Sequence, residues 1–320
     1  MKRIRVHKTG PPEVMRLEEV EPPKPGSGQV LVRILAAGVN PVDTYVRAGG
    51  YGYSPEVPYT PGADGAGIVQ AVGDGVKRVS VGDRVYGGRS VTGSYAEMAI
   101  FDESQVHSLP EDLSFAQGAC IAIPYGTAYR ALFQKARVQP GESVLIHGAS
   151  GGVGSAAVQL AHHAKLTVIG TAGSERGRQL VKEQGADHLL DHHEPGHFDQ
   201  VMKLTKDRGV EVILELLANE NLGSDLKVLA RFGRIVVVGS RGTIEIDPRD
   251  AMQRDATILG MVLKNTPPEE FQQIHVQLGT LLARGILRPV VRTELPLADA
   301  AEAHRAVMSP PAHGNLVLIP

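Results

Sequence analysis

The hydrophobic pattern of the chain changes near residue 124, and this change constrains the fold more than any other feature. Before it, short strand-like runs such as VLVRILAAGV, GAGIVQAV, VGDRVYGG and SYAEMAI are separated by turns rich in glycine and proline. After it, six strand-like segments mostly alternate with segments of helical spacing: SVLIH, LTVIGTA, DHLLD, VEVILEL, RIVVVG and TILGMVL. We therefore predict an all-β, barrel-like domain followed by a parallel sheet covered by helices.

The composition excludes several classes of protein. The chain has 320 residues and is 42% hydrophobic and 21% charged, which suits a globular protein of about two domains. Its 33 basic and 35 acidic residues give a net charge of −2, so we expect no nucleic-acid partner and no general attraction to membranes. The single cysteine, Cys120, permits no internal disulfide and no multi-cysteine zinc site. The N-terminus has no apolar signal region, and we expect a cytoplasmic protein.

A glycine-rich turn follows the first strand of the second half, in GESVLIHGASGGVGSAAVQL. Ala149, Gly151 and Gly154 occupy the three positions of the G-x-G-x-x-G pattern. The first position allows a tight turn, Gly151 lets the backbone approach a pyrophosphate, and Gly154 lets helix and strand pack closely. The helix N-terminus offers N–H groups to the anion. We therefore predict a dinucleotide site, with the turn residues Ser150, Gly151, Gly152 and Val153 in contact with the cofactor.

Three helices and the C-terminal segment complete the predicted layout. Apolar residues after the turn recur at helical spacing and predict an amphipathic helix: Val153, Ala157, Leu160, Ala161 and Ala164. Gly185 is a predicted helix stop. The segment EEFQQIHVQLGTLLARG is predicted to be helical, and GNLVLIP is predicted to be a strand that returns to the first domain.

The end of the second strand indicates which dinucleotide binds. An NAD enzyme places a carboxylate there to hold the ribose 2′-hydroxyl, but this chain has Gly173 and Ser174, with Arg176 and Arg178 close behind. A 2′-phosphate needs room, a hydroxyl and a cation, so we predict NADPH and expect Arg178 or Arg176 to hold the phosphate. Glu175 is the residue that supports the alternative, because its carboxylate would favour NADH if it pointed at the ribose.

Ligands of open parallel sheets lie beyond the carboxyl ends of the strands. The residues near those ends are therefore further candidates for cofactor contacts: His192, Asn221, Gly239, Ser240, Arg241 and Val262. A metal site is an alternative use of one loop, through Asp191, His192, His193 and His197, but its spacing matches no defined metal motif.

Ordered motifs along nearly the whole chain resemble one family. They include AAGVNPVDTYVRAGGY, PYTPGADGAGIV, IPYGTAYRAL, HGASGGVG, GTAGSERG, LANENL and VGSRGTIEI. The chain resembles the zinc-free, zeta-crystallin-like quinone oxidoreductases of the medium-chain dehydrogenase/reductase superfamily. The resemblance implies an α/β protein with a GroES-like β-barrel catalytic domain, 1–123 and 265–320, and a Rossmann doubly wound parallel sheet, 124–264. It also implies an active site in the cleft between the domains.

The related alcohol dehydrogenases bind catalytic zinc through G-V-C-H and G-H-E motifs. Here the first motif reads Gly38, Val39, Asn40, Pro41, and the second reads GAD and ends in Asp64. The sulfur and imidazole ligands are missing, so we expect no catalytic metal and an acceptor that takes hydride readily. We therefore predict an NADPH:quinone oxidoreductase, with one-electron and hydride transfer both left open.

The resemblance also nominates catalytic residues. Asn40 is expected to donate its amide N–H to a quinone oxygen, and Tyr45 and Tyr51 are expected to border the substrate and nicotinamide rings. Thr127 resembles the position beside the nicotinamide. Each has a structural alternative, since asparagine before proline forms turns and a tyrosine can fill a core. Asp43 and Asp64 are expected to fix local backbone or form salt bridges.

Two other functions remain open at this point. An NADPH-dependent reductase of activated C=C bonds would use the same turn, with Tyr51 or water as the acid. An RNA-binding or structural role is the other alternative, although the chain has no basic stripe and no tryptophan. By analogy with the family we expect a homodimer or homotetramer, with GTIEID as a pairing edge.

Overall fold

Fifteen strands are present in the computed structural model, which describes residues 1–320. In chain order they are β1 (Lys2–Val6), β2 (Met15–Glu19), β3 (Gln29–Val39), β4 (Gly65–Val72), β5 (Arg84–Gly87), β6 (Met98–Asp102), β7 (Val106–Ser108), β8 (Ser143–Ile146), β9 (Thr167–Thr171), β10 (His188–Leu190), β11 (Val210–Glu215), β12 (Leu229–Val237), β13 (Thr257–Gly260), β14 (Val291–Pro296) and β15 (Asn315–Ile319).

Ten α-helices connect or cover these strands. They are α1 (Pro41–Ala48), α2 (Phe115–Gly118), α3 (Ala122–Tyr129), α4 (Gly152–His163), α5 (Glu175–Glu183), α6 (His197–Leu204), α7 (Ala218–Val228), α8 (Pro248–Met252), α9 (Pro268–Ala283) and α10 (Ala300–Met308). A π-helical turn, Arg130–Lys135, continues α3. None of the helices combines the length and the apolar character that crossing a membrane requires.

The chain divides into two units. Unit 1 comprises Met1–Ile123, His275–Pro310 and Gly314–Pro320, and unit 2 comprises Pro124–Ile274 and Pro311–His313. The family resemblance implies a return to the first domain at residue 265; unit 2 extends into α9, to Ile274.

Unit 2 contains one six-stranded sheet in the order β10-β9-β8-β11-β12-β13. All its strand pairs are parallel. Counted within the sheet, the order is 3-2-1-4-5-6, which is the doubly wound order of dinucleotide-binding folds. Five of the six predicted segments contain one of these strands, and the sixth, RIVVVG, covers only the C-terminal part of β12, which begins at Leu229. The buried side chains of one core cluster, including Leu145, Ile169 and Ile235, are supplied by several of these strands.

Unit 1 contains a sheet in the order β14-β15-β3-β4-β5-β7, with β6 paired to β3, and a separate β1-β2 hairpin. The predicted return of the C-terminal segment is observed, because β15 pairs with β3 in register Leu316 to Val39. β15 also pairs with β14, so it lies inside the sheet.

Several local predictions differ from the structure. The strand predicted at SYAEMAI begins only at Met98, and GTIEID forms no strand. The all-β description of the first domain missed α1. The stripe predicted for α4 is too narrow, because Gly154 to Ala161 are all buried while Val153 is half-buried. A second face of α4 is covered by α3, where the Tyr125 hydroxyl donates to Gln159 Oε1 at 3.1 Å.

Candidate functional site

The glycine-rich turn lies between β8 and α4 in unit 2. Gly148 has φ +58°, a left-handed conformation that glycine adopts without strain. A Cβ on Gly154 would lie 2.3 Å from the Gly148 carbonyl oxygen and 2.7 Å from Ala149 Cα, both backbone atoms. Packing of the helix against the turn therefore requires glycine at 154, as the sequence analysis expects.

Gly151 differs from Gly154 in what surrounds it. A Cβ there would meet only ordinary contacts, at 3.4 Å to the Gly148 carbonyl oxygen and 3.8 Å to Ala312 Cβ. Its φ of −76° is open to any residue. The protein itself leaves room at this position, directly at the N-terminus of α4, where the first N–H groups have no partner within the helix. This space and these donors fit a pyrophosphate.

The end of β9 carries a serine with two hydrogen bonds. Ser174 is the N-cap of α5, and its Oγ accepts from the Gly177 N–H at 3.1 Å. The same Oγ lies 2.7 Å from His313 Nε2. Gly173 beside it is crowded, since a Cβ would lie 2.4 Å from His193 Nε2 and 2.5 Å from His192 Nε2. Ser174 was predicted from the sequence, but His313 was not, because it is 139 residues away along the chain.

Arg178 is held by two carboxylates. Its Nη2 donates to Glu175 Oε2 at 2.7 Å, and its Nη1 donates to Asp191 Oδ2. These interactions raise the pKa of Arg178, with the Glu175 contact as the largest cause. The Glu175 carboxylate therefore points at an arginine, and the NADH alternative, which needs it at the ribose, finds no support in this contact. Arg176 is exposed.

The remaining candidates of unit 2 lie at or near strand ends. Asn221 lies within α7, and its amide donates to Glu215 Oε1 at 3.4 Å. Gly239 is tightly packed, because a Cβ would lie 2.4 Å from the Leu216 carbonyl oxygen. Three other candidates make hydrogen bonds that involve the backbone: Ser240 donates to the Gly242 carbonyl, the Arg241 N–H donates to Asn219, and the Val262 carbonyl accepts from Arg130. His192 is exposed, and Thr127 is buried. Their cofactor contacts stay predictions.

A buried polar cluster in unit 2 was missed by the sequence analysis. His147 directly follows β8. Its Nε2 atom lies 2.8 Å from Asp225 Oδ1 and 3.6 Å from Glu215 Oε2. Burial is the largest cause of each shift: it raises the pKa of Glu215 to about 8 and that of Asp225 to about 7, and it lowers the pKa of His147. The signal was present, since His147 and Glu215 stand at the ends of adjacent parallel strands.

These three side chains are also the ones whose donor atoms lie close enough to surround a metal ion, all within 4.8 Å of one another. The short contact from His147 to Asp225 has the geometry of a hydrogen bond. Burial favours protonated carboxyl groups at Glu215 and Asp225, and a protonated carboxyl has no charge for a cation to balance. The loop of Asp191, His192, His193 and His197, considered for metal from the sequence, forms no such group.

In unit 1, Asn40 is fixed by two aspartates. The Asn40 N–H donates to Asp43 Oδ2 at 2.8 Å and caps α1. Its side-chain amide donates to Asp64 Oδ2 at 3.1 Å, and the Ile123 N–H donates to the same oxygen at 3.0 Å. Both aspartates therefore hold local backbone, as expected, and one amide hydrogen of Asn40 is not used in the contact with Asp64.

Burial determines the charges around Asn40. It raises the pKa of Asp43 to about 7 and that of Asp64 well above its ordinary value. The Tyr95 hydroxyl lies 3.4 Å from Asp43 Oδ2 and 3.1 Å from His304 Nε2, and burial lowers the pKa of His304 to about 3. Burial therefore favours the uncharged forms of Asp43, Asp64 and His304 in the network below α1.

Tyr45 and Tyr51 lie side by side, with ring centroids 4.6 Å apart and planes inclined by 51°. Tyr51 is 61% exposed, so its ring offers an open apolar surface. A cavity of about 470 Å³ lies elsewhere in unit 1 and is lined by residues that include Asp43 and Val46 of α1, but not by these tyrosines.

The chain is similar in sequence to two family models and to known proteins. Residues 26–111 match the family model described as alcohol dehydrogenase GroES-like domain, and residues 152–279 match zinc-binding dehydrogenase. The chain is 48% identical to the quinone oxidoreductase of Rattus norvegicus over 321 aligned residues, which cover 100% of this chain and 98% of the rat protein. The chain belongs to the quinone oxidoreductase family.

Solved structures of related proteins resemble this chain over its whole length. The Escherichia coli quinone oxidoreductase complexed with NADPH superimposes with a TM-score of 0.92 at 30% identity and 100% coverage of both chains. An NAD-dependent alcohol dehydrogenase superimposes with a TM-score of 0.93, also at 30% identity and full coverage. The fold therefore does not distinguish the two dinucleotides or the two chemistries, and individual residues must do so.

Proposed function

We propose that this oxidoreductase is an NADPH-dependent quinone reductase that acts without zinc. The observation that carries the proposal is the turn at Gly151, which leaves space and helix N–H groups for a pyrophosphate, in a chain 48% identical to a quinone oxidoreductase. The E. coli relative crystallised with NADPH supports the choice of cofactor.

The end of β9 supports NADPH over NADH. A hydroxyl stands there where an NAD enzyme has a carboxylate. The two nearby acids, Glu175 and Asp191, are both bound to Arg178. Arg178 therefore competes with a ribose hydroxyl for both carboxylates.

The donor set around Asn40 supports a reaction without zinc. The positions where relatives place sulfur and imidazole ligands carry Asn40 and Ala63 in this chain. Asn40 and the carboxylate of Asp64 contact each other directly at 3.1 Å. Zinc prefers thiolate, imidazole and carboxylate ligands, and only Asp64 belongs to these types.

The residues of the chain supply position and hydrogen bonds to the reaction. When bound, NADPH supplies the reducing equivalents to the acceptor. The second amide hydrogen of Asn40 polarises the acceptor oxygen, and Asp64 keeps the amide oriented. Tyr45 and Tyr51 provide apolar ring surfaces for a planar acceptor. Quinone carbonyls are already electrophilic, so alignment of the two rings is the main requirement.

The test measures oxidation of NADPH by the purified protein with phenanthrenequinone, an unsaturated ketone and no acceptor, before and after dialysis against a chelator. We expect turnover with the quinone. Its rate is expected to be the same after treatment with the chelator and to fall in Asn40→Ala. Activity restored only by added zinc would contradict the zinc-free mechanism. Turnover of the ketone alone would show a C=C reductase instead. The expected homo-oligomer and cytoplasmic location stay predictions.

A further inference from the structure

Residues Pro311–His313 pack with unit 2, although the residues on both sides of them pack with unit 1. The position of a Cβ on Gly151 lies 3.8 Å from Ala312 Cβ. His313 Nε2 lies 2.7 Å from Ser174 Oγ. This three-residue segment therefore touches both places that a dinucleotide site needs: the turn for the pyrophosphate and the end of the second strand for the ribose.

The hydrogen bonds of Ser174 leave it a donor for an anion. Its oxygen accepts from the Gly177 N–H at 3.1 Å. When His313 carries its hydrogen on Nε2, the imidazole also donates to this oxygen, and the hydroxyl hydrogen remains for a further acceptor. A phosphate oxygen is such an acceptor, and a protonated imidazole adds a positive charge beside it.

The charges nearby make His313 the better partner for a phosphate than Arg178. The Arg178 side chain is already bound by Glu175 and Asp191, so these three groups together carry a net negative charge. None of the hydrogen bonds of the Arg178 side chain reaches Ser174, whereas His313 contacts it directly. Arg178 neutralises two acids near the site, and His313 supplies the basic group at the hydroxyl.

We propose that His313, together with Ser174, recognises the 2′-phosphate of NADPH and sets the preference for NADPH over NADH. This inference rests on the proposed function, because it assumes that the dinucleotide binds at the turn of unit 2. It transfers to His313 the role that the sequence analysis gave to Arg178 or Arg176.

The experiment measures dissociation constants of NADPH and NADH by fluorescence titration of the purified enzyme without an acceptor. His313→Ala is expected to raise the NADPH constant by about tenfold and leave the NADH constant unchanged. His313→Gln keeps a side-chain donor and is expected to lose less. His163→Ala, at the opposite end of α4 from the turn, is the matched control and is expected to change neither constant. Thermal unfolding of each variant checks that it folds.

The outcomes separate the two proposals. Equal effects of His313→Ala on both dissociation constants would show a merely structural role. No effect on either constant would show that His313 does not contact the phosphate. Either result overturns this inference, while NADPH binding by the wild type still supports the proposed function. A wild type that binds NADPH no more tightly than NADH overturns the proposed cofactor and this inference with it.

Discussion

Gly151 and Gly154 belong to the same turn but are glycine for different reasons. Alanine at 154 would place a Cβ 2.3 Å from a backbone oxygen, while alanine at 151 meets nothing closer than 3.4 Å. We expect Gly154→Ala to lower the free energy of unfolding by ~1 to 3 kcal/mol, the range typical of overpacking. Gly151→Ala is expected to leave it unchanged and to weaken dinucleotide binding.

Urea unfolding and a cofactor titration on the same two proteins measure this contrast. The wild type is the reference for both. Equal stability of the two variants would show that the turn relaxes to admit a Cβ at 154. Unchanged affinity in Gly151→Ala would show that no pyrophosphate approaches that residue, which the longer side chain of Gly151→Val tests more severely.

Arg178 is predicted to act on cofactor binding through the acids that it neutralises. Arg178→Ala leaves Glu175 and Asp191 without their shared cation, and we expect NADPH affinity to fall because two carboxylates then repel the phosphate. The double variant Arg178→Ala with Glu175→Ala removes one of those charges and is expected to recover part of the affinity. Titration of NADPH at low and high salt checks this, since screening weakens repulsion. A double variant as weak as the single one would indicate a direct contact of Arg178 with the phosphate.

The residues that sequence reasoning found are those whose role is set by their immediate neighbours in the chain. Gly154 lies in the first turn of a helix that follows a strand, so its packing role can be predicted from the eight-residue segment HGASGGVG alone. His313 was missed because only the fold brings it to Ser174. The pairing of Arg178 with Asp191 was missed for the same reason, since the two residues come from different elements.

At the scale of elements, the buried side chains at the ends of β8 and β11 predict a pH dependence of stability. The pKa of Glu215 is about 8 in the fold against an ordinary 4.5, and burial is the largest cause. Between these values the native state holds a proton that the unfolded chain has lost, so stability falls as the pH rises through this window. Asp225, raised from 3.8 to about 7, acts in the same direction.

Glu215→Gln is expected to reduce this loss of stability, because an uncharged amide occupies the place of the protonated acid. The measurement is urea unfolding of both proteins across the window, with Glu183→Gln on the exposed end of α5 as the control. Titrating groups distant from Glu215 are common to the three proteins and cancel in the comparison, so the difference reports on Glu215 together with its coupled neighbours His147 and Asp225. Parallel stability curves for wild type and Glu215→Gln would show that Glu215 does not hold the proton.

Elements were predictable where one period of hydrophobic residues dominates. The inner strands β8, β9 and β11 of unit 2 are almost entirely buried and read as short apolar runs, so each was found. The edge strand β13 is mostly exposed, and it was found because its segment TILGMVL is also apolar. The burial of α4 was underestimated, because its second face is covered by α3 through Tyr125, a contact that no local period reveals. α1 was overlooked because its eight residues interrupt a strand-rich region, and its start depends on Asp43 reaching back to Asn40.

At the scale of the whole molecule, unit 1 depends on its C-terminal strand. β15 pairs with β14 on one edge and β3 on the other, and Leu316, Val317 and Leu318 are buried. Three such side chains contribute roughly 5 to 9 kcal/mol, which approaches the stability of a whole domain at ~5 to 15 kcal/mol.

We therefore expect deletion of residues 315–320 to unfold unit 1. The deletion also removes the pairing partner of Ala37 to Val39, directly before Asn40. Solubility and cooperative thermal unfolding of the truncated protein measure the effect, with deletion of Pro320 alone as the control. A truncated protein that is soluble and melts like the full chain would show that the sheet of unit 1 folds without the pairing of β15 to β3 and β14.

The position of β15 also determines the order in which the two units can be completed on the ribosome. All strands of the parallel sheet are translated before residue 261, so that sheet can assemble while synthesis continues. The sheet of unit 1 must wait for the final strand, and until then one side of β3 offers unpaired backbone groups next to Asn40. A nascent chain stalled at this stage is the form most exposed to pairing with a second copy, or to capture by a chaperone.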